Sequence, residues 1–254
     1  MSDPTAHGPL SSEISSDLPP PAVALAIGAH PDDVDFGCGG TLAKWAAAGC
    51  QVHYLVCTDG SKGSWDPGQD RDELIRQRQE EQRQASEVVG GGGRVTFLGH
   101  VDGELGSGMA LRGRVAHEIR RVRPDVVLGH DPWKRYRLHP DHRHAGFLVT
   151  DGIVAARDPH FFPDQHVAPH RPSALLLWEA DAPDHIEDIA GFEDTKLRAL
   201  LAHRSQLEST MGIKGGGDGP AVEAFRARLS SRQAAAGAPL GLTAAEAFKL
   251  LTDL

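Results

Sequence analysis

From Ala22 onward, short runs of apolar residues alternate with longer segments of helical character. The runs fall near residues 22–28, 51–57, 94–98, 125–130 and 173–179, and helical patterns fall near 38–49, 70–89, 109–122, 140–157 and 191–209. Strands that are apolar throughout, instead of alternating with polar residues, are buried on both faces, and helices between them supply the cover. With right-handed crossovers this predicts an α/β, Rossmann-like three-layer fold built on a mostly parallel sheet. Ligands of such sheets sit beyond the C-terminal strand ends, where the strand order reverses. Gly90-Gly91-Gly92-Gly93 leads into a strand, not a helix, so it reads as a turn and not as a phosphate loop. Residues 212–241 are rich in Gly, Ala and Ser; they read as a loop with one amphipathic helix near 220–233, and the segment TAAEAFKLL after them reads as a terminal helix.

A chain of 254 residues suits one large domain, placed at 22–254. Residues 1–21, dominated by Ser, Pro and Asp, read as a disordered lead-in without the basic and apolar regions of a secretory signal. A net charge of −9 excludes a general nucleic-acid or anionic-membrane binder. No apolar run approaches the length of a membrane span. Cys38, Cys50 and Cys57 show no CxxC pairing, which fits reduced thiols in a cytoplasmic protein. No solvent-facing stripe marks a subunit interface, so a homo-oligomer is neither required nor excluded.

The chemistry begins at the end of the first strand, which reads Gly28-Ala29-His30-Pro31-Asp32-Asp33. A dinucleotide site would carry G-x-G-x-x-G there, so that backbone can approach a pyrophosphate. Histidine and aspartate would obstruct and repel that phosphate, but they are good zinc ligands. An isolated HxxD is common, and an aspartate there also serves as a helix N-cap. A second cluster changes the balance: His139, Asp141, His142 and His144 lie within six positions after the fourth strand. A catalytic zinc site wants about three protein ligands and an open position, and both clusters follow strands of one sheet.

AHPDD, HPDH and the later KLRALLAHRSQ together resemble the zinc-dependent PIG-L/LmbE deacetylase family. Arg78 and Glu81 in RQEE, FLGHVDGEL and the late AEAF extend the resemblance over roughly residues 22–250. It implies that His30, Asp33 and His142 hold one Zn2+ or another divalent metal such as Fe2+, and that Asp32 is the general base. It also implies an electrophilic His139 supported by Asp141, and hydrolysis of an N-acetyl group on a small N-acyl amino-sugar conjugate. Arg78 is either a substrate contact or the ion-pair partner of Glu81, and Asp102 either a sugar contact or a turn residue. His203 reads as a buried structural hydrogen-bonding group, and His130 as a pocket wall that does not touch the metal. Some glycoside-specific members carry a tyrosine two positions before the HPDH motif, where this chain has Arg137 and places Tyr136 one residue off. With Lys134 and Arg135, Arg137 makes a basic stretch that either attracts an anionic substrate or pairs with nearby acids. Two rival readings are an amidase for a larger acyl group and a non-catalytic metal- or nucleotide-binding module.

Overall fold

The computed structural model describes residues 14–214 and 219–254. Among these residues eight strands form one sheet: β1 (Ser15–Ser16), β2 (Val23–Gly28), β3 (Gln51–Thr58), β4 (Val95–His100), β5 (Val126–His130), β6 (Ala174–Trp178), β7 (His185–Asp188) and β8 (Ala245–Leu251). Six helices of the described chain accompany them: α1 (Asp33–Ala47), α2 (Arg71–Val89), α3 (Met109–Val122), α4 (Pro140–Arg157), α5 (Glu193–Ala202) and α6 (Pro220–Gly237). The strand order is β1-β7-β8-β6-β5-β2-β3-β4, with β8 antiparallel to both its neighbours and every other pair parallel. The mostly parallel three-layer architecture expected from the apolar runs is therefore present. Among the described residues no helix is long and apolar enough to cross a membrane.

The pleat sorts each strand onto two cores. Leu25 and Ile27 of β2 join Val115, Ile119, Leu148 and Ile153 on the α3–α4 face. Ala24 and Ala26 join Leu42, Trp45, Ala85 and Trp178 on the α1–α2–α5 face. The small residues of β2 let α1 lie close, and Gly37 completes that approach: a Cβ there would stand 2.5 Å from the Trp178 ring. α2 starts where Asp70 accepts a hydrogen bond from Glu73 N at 2.7 Å, and stops at the left-handed Gly90, φ 99°. β2 pairs with β5 on one side and β3 on the other, so the strand order reverses between β2 and β5. His30 and His130 follow from those two strands, which places both sequence clusters at the switch point.

Four expectations need correction. TAAEAFKLL is not a terminal helix but contains β8, paired with Leu175–Trp178 on one side and His185–Asp188 on the other. Its residues are good helix formers, yet insertion between two strands satisfies the backbone on both sides, and tertiary pairing overrides local propensity. The disordered lead-in is ordered at its end, because Ser15 and Ser16 pair with His185 and Ile186; residues 1–13 lie outside the described residues. The helix near 191–209 stops at Ala202, and a single 3-10 turn, Arg204–Gln206, follows His203. α1 also begins at Asp33, earlier than the glycines of FGCGG suggest, with a kink at Cys38.

Glu246 fastens β8 to the site-bearing helix. Its carboxylate accepts from Gly40 N at 2.9 Å, Thr41 N at 2.8 Å and Thr41 Oγ at 2.6 Å, and pairs with Lys196 Nζ at 2.5 Å. Both side chains of the ion pair are only 4% exposed, so removing one leaves an uncompensated buried charge. Glu246→Ala is expected to destabilise the fold by about 3–5 kcal/mol, read by urea unfolding, whereas an effect under about 1 kcal/mol would mean water replaces the pair.

Candidate active site

The turn after β2 supplies the first three polar groups. Asp32 is forced to φ 104°, ψ −30°, an unusual region for a residue with a Cβ that costs about 1–3 kcal/mol. That turn lets Asp33 open α1 while its Oδ2 accepts from His30 N at 2.7 Å. Asp33 then spans the expected ligand trio, with Oδ2 3.3 Å from His30 Nδ1 and Oδ1 3.2 Å from His142 Nε2. The second cluster arrives on the start of α4, where His139 is the N-cap and Pro140 follows it.

Asp141 and Asp102 both face His30. His30 Nε2 lies 3.1 Å from Asp102 Oδ1 and 3.2 Å from Asp141 Oδ2. Carboxylates only accept, so Nε2 carries a proton and Nδ1, beside Asp33, is the atom left for a metal. Asp141 also accepts from Gly103 N at 2.6 Å and Leu105 N at 3.1 Å, which ties the loop after β4 to α4. The Asp141 carboxylate makes no hydrogen bond to His139, and any support it gives that ring is through its charge. Only the backbone N of Asp141 reaches His139, at Nδ1, 3.3 Å away. Burial, together with His30 and His142, holds the His139 pKa below its ordinary value, and the Asp141 charge does not reverse this.

His130 sits closer to the centre than the sequence suggests. Its Nε2 is 3.3 Å from Asp33 Oδ2, and it is buried without a hydrogen-bond partner. Trp178 Nε1 donates to His130 Nδ1 at 3.0 Å, so in the neutral ring Nε2 holds the proton and faces Asp33 without an aligned hydrogen bond. Three groupings bring possible donor atoms within 4.8 Å of one another: His30 with His139 and His142, Asp33 with His130 and His142, and His30 with Asp102 and Asp141. Imidazole nitrogen and carboxylate oxygen suit zinc and its neighbours, so the donor chemistry fits a divalent metal. Burial works against a charged His30, yet Asp102, Asp141 and Asp33 raise its pKa well above the ordinary value, and the same negative field favours a dication.

Arg78 is buried and aimed at Asp32, not paired with Glu81. It donates to Gly60 O at 2.9 Å and Pro31 O at 2.7 Å, with Nη2 3.5 Å from Asp32 Oδ2. Glu81 instead accepts from Ser205 N at 2.9 Å and Ser205 Oγ at 2.6 Å. Burial pushes Asp32 up to about 6; Arg78 pulls it down and Asp33 pushes it up. Asp102 stays down at about 2, because His30, Lys62 N and Arg78 outweigh its burial. The basic stretch is paired: Lys134 Nζ lies 2.8 Å from Asp181 Oδ1, and Arg135 N donates to Asp181 Oδ2 at 2.8 Å. Arg137 contacts Glu179 Oε2 at 2.5 Å and His142 Nδ1 at 2.8 Å, so it braces the cluster instead of presenting a free cation. As a guanidinium only donates, His142 Nδ1 accepts here and Nε2 points its proton at Asp33; His142 offers Nε2 to a metal only once Arg137 releases Nδ1.

A cavity of about 640 Å³ opens over this cluster. His30, Asp32, Asp33, Arg78, Asp102 and His142 line it on one side, and Phe36, Leu229, Gln233 and Ala245 continue it towards α6 and β8.

Comparison with known proteins identifies the family. Residues 25–153 match the family described as PIG-L, GlcNAc-PI de-N-acetylase. The chain is 38% identical over 186 residues to the diacetylchitobiose deacetylase of Thermococcus kodakarensis, covering 72% of this chain and 69% of that relative. It is 35% identical over 241 residues to a 1D-myo-inositol 2-acetamido-2-deoxy-alpha-D-glucopyranoside deacetylase of Rhodococcus opacus, covering 72% and 81% respectively. The solved N,N'-diacetylchitobiose deacetylase of Pyrococcus horikoshii, complexed with its inhibitor MPG, superposes with a TM-score of 0.82 at 28% identity, over 91% of this chain and 84% of that one. The chain belongs to the PIG-L de-N-acetylase family.

Proposed function

We propose that the protein is a zinc-dependent hydrolase that removes the N-acetyl group from a small N-acetylglucosamine-type conjugate, releasing acetate and a free amine. The observation that carries this reading is the Asp33 carboxylate bridging His30 and His142, with Asp32 one residue away on the cavity wall. The relatives named above act on diacetylchitobiose and on an acetylated glucosaminyl inositol, and the cavity volume lies within the range for ligands of that size. Three free, buried cysteines suit a cytoplasmic setting.

His30, Asp33 and His142 would hold the metal. When bound, it supplies a Lewis acid and lowers the pKa of a coordinated water from about 15.7 towards about 7. Asp32 takes a proton from the attacking water and returns it to the leaving amine. Burial favours the protonated form of Asp32 and so helps it take up the water proton. His139 faces the cavity and donates towards the developing oxyanion through its Nε2, since its Nδ1 accepts from the Asp141 backbone. Asp102 and Asp141 keep His30 in one tautomer, and Arg78 fixes the orientation of Asp32. Arg78 and Asp102 also line the cavity within reach of a bound sugar.

Elemental analysis of the purified protein should find about one zinc per chain, and acetate release from amino-sugar conjugates should stop with a chelator. Metal without acetate release, but with release of a longer acid, would favour the amidase reading. Asp32→Ala is expected to keep the metal and lose about 10²–10⁴ in kcat, whereas His142→Ala loses the metal itself. If Asp32→Ala emptied the site, ligand and base would have been exchanged. Gly63→Ala tests the orientation of Arg78, because a Cβ there would stand 2.0 Å from Arg78 Nη1. Its kcat/KM should fall about tenfold or more with zinc content kept, and its thermal midpoint should fall too, since the buried guanidinium has to release Gly60 O and Pro31 O.

A further inference from the structure

Asp32 keeps a backbone conformation that its own side chain opposes, and the groups that enforce it lie behind the cavity. Its N–H donates to Gln82 Oε1 at 2.9 Å. The other end of the same amide, Gln82 Nε2, donates to Asp35 Oδ2 at 2.8 Å. That oxygen also faces His203 Nε2 at 2.9 Å, and Tyr54 Oη donates to Asp35 Oδ1 at 3.2 Å. Asp35, Gln82 and His203 are all 0% exposed, so no solvent competes for these bonds.

The direction of every bond follows from the chemistry of the groups. A carboxylate only accepts, so the Gln82 amide nitrogen and His203 Nε2 must both point protons at Asp35. This leaves Gln82 Oε1, and no other atom of that side chain, to accept from Asp32. Glutamate at position 82 would set a second carboxylate against Asp35, and methionine would serve neither partner. The four groups come from α1, β3, α2 and the turn after α5, so elements distant in sequence converge on one peptide bond.

We infer that Gln82 is a positioning residue for Asp32: Asp35, held by His203 and Tyr54, orients the Gln82 amide, and that amide pins the Asp32 backbone at φ 104° so that its carboxylate faces the cavity. This rests on Asp32 acting as the base. Without the pin, Asp32 relaxes towards an ordinary negative φ and its carboxylate leaves the line of attack. Asp33, the next residue, has tethers of its own to His30 N and to the imidazoles of His30, His130 and His142, so the metal ligands are disturbed less than the base.

The test compares Gln82→Met, Gln82→Glu and the double variant Gln82→Glu with Asp35→Asn, all reconstituted with zinc. In the double variant one carboxylate and one amide change places. The amide introduced at position 35 then donates to the carboxylate introduced at position 82. It also donates to His203, which can present a lone pair at Nε2 because its Nδ1 has no partner to lose. Each single variant should lower kcat about tenfold to a hundredfold, with KM and zinc content within about twofold of the parent, and the double variant should recover most of the loss. A crystal structure of the Gln82→Met protein should show Asp32 at negative φ. Parent-like kcat in Gln82→Met, measured where Asp32→Ala is inactive, would overturn the proposal. So would zinc loss in step with kcat in all three variants, since the network would then be serving the metal ligands. If the parent binds zinc but hydrolyses no N-acetyl conjugate, the proposed reaction fails instead, and the Asp32 φ in Gln82→Met alone decides whether Gln82 is the pin.

Discussion

The Asp33 carboxylate is shared by three imidazoles: His30 at 3.3 Å from its own turn, His130 at 3.3 Å from β5, and His142 at 3.2 Å from α4. Such crowding is tolerable only where opposite charges compensate one another, because each buried ionised group alone is costly. Burial tends to raise the Asp33 pKa, but His142 and His130 hold it well below the ordinary carboxylate range. The rest of the fold meets the geometric demand this sets. β2 and β5 are adjacent and in register from Ala24↔Val126 to Ile27↔Gly129, so His130 ends its strand beside Gly28, the residue from which the His30 turn departs. A slip of one residue would send His130 to the other face of the sheet.

Much of this was legible in the chain because it depends on local pattern. Five continuous apolar runs became β2 to β6, and the His and Asp clusters after the first and fourth of them met. What stayed hidden depends on distant pairing. β7, His185–Asp188, is too short and polar to stand out, and β1 is two serines. The segment Ala245–Leu251 has helical composition and becomes a strand because two open edges await it. Side-chain direction was equally illegible. Asp141 sits two residues from His139, yet it turns to His30 because α4 carries it inward and Gly103 N and Leu105 N meet it there. His130 ends a strand as expected, but only Trp178 opposite shows which of its nitrogens faces Asp33.

Arg137 illustrates how a sequence departure is absorbed. Two positions before the HPDH motif, where the resemblance leads one to look for a tyrosine, this chain places a guanidinium that spans Glu179 and His142. Glu179 is itself held at φ 59°, a left-handed conformation that a residue with a Cβ adopts at a cost. With His130 and Arg137 beside it, Glu179 stays ionised down to about 2 despite partial burial. The mouth of the cavity is thus edged by opposed charges held on strained backbone.

The position of β8 has a consequence for how the chain folds. The strands around the site, β2 to β6, form a contiguous part of the sheet and are complete once Trp178 has been made. β7 and β1 lie beyond them and reach the sheet solely through β8, the last strand in the described chain. On the ribosome, the ligand-bearing half can therefore condense first. The segment at Ser15–Ser16, although made before every other strand described, pairs with β7 and so cannot reach the sheet until Ala245–Leu251 emerges and closes the gap.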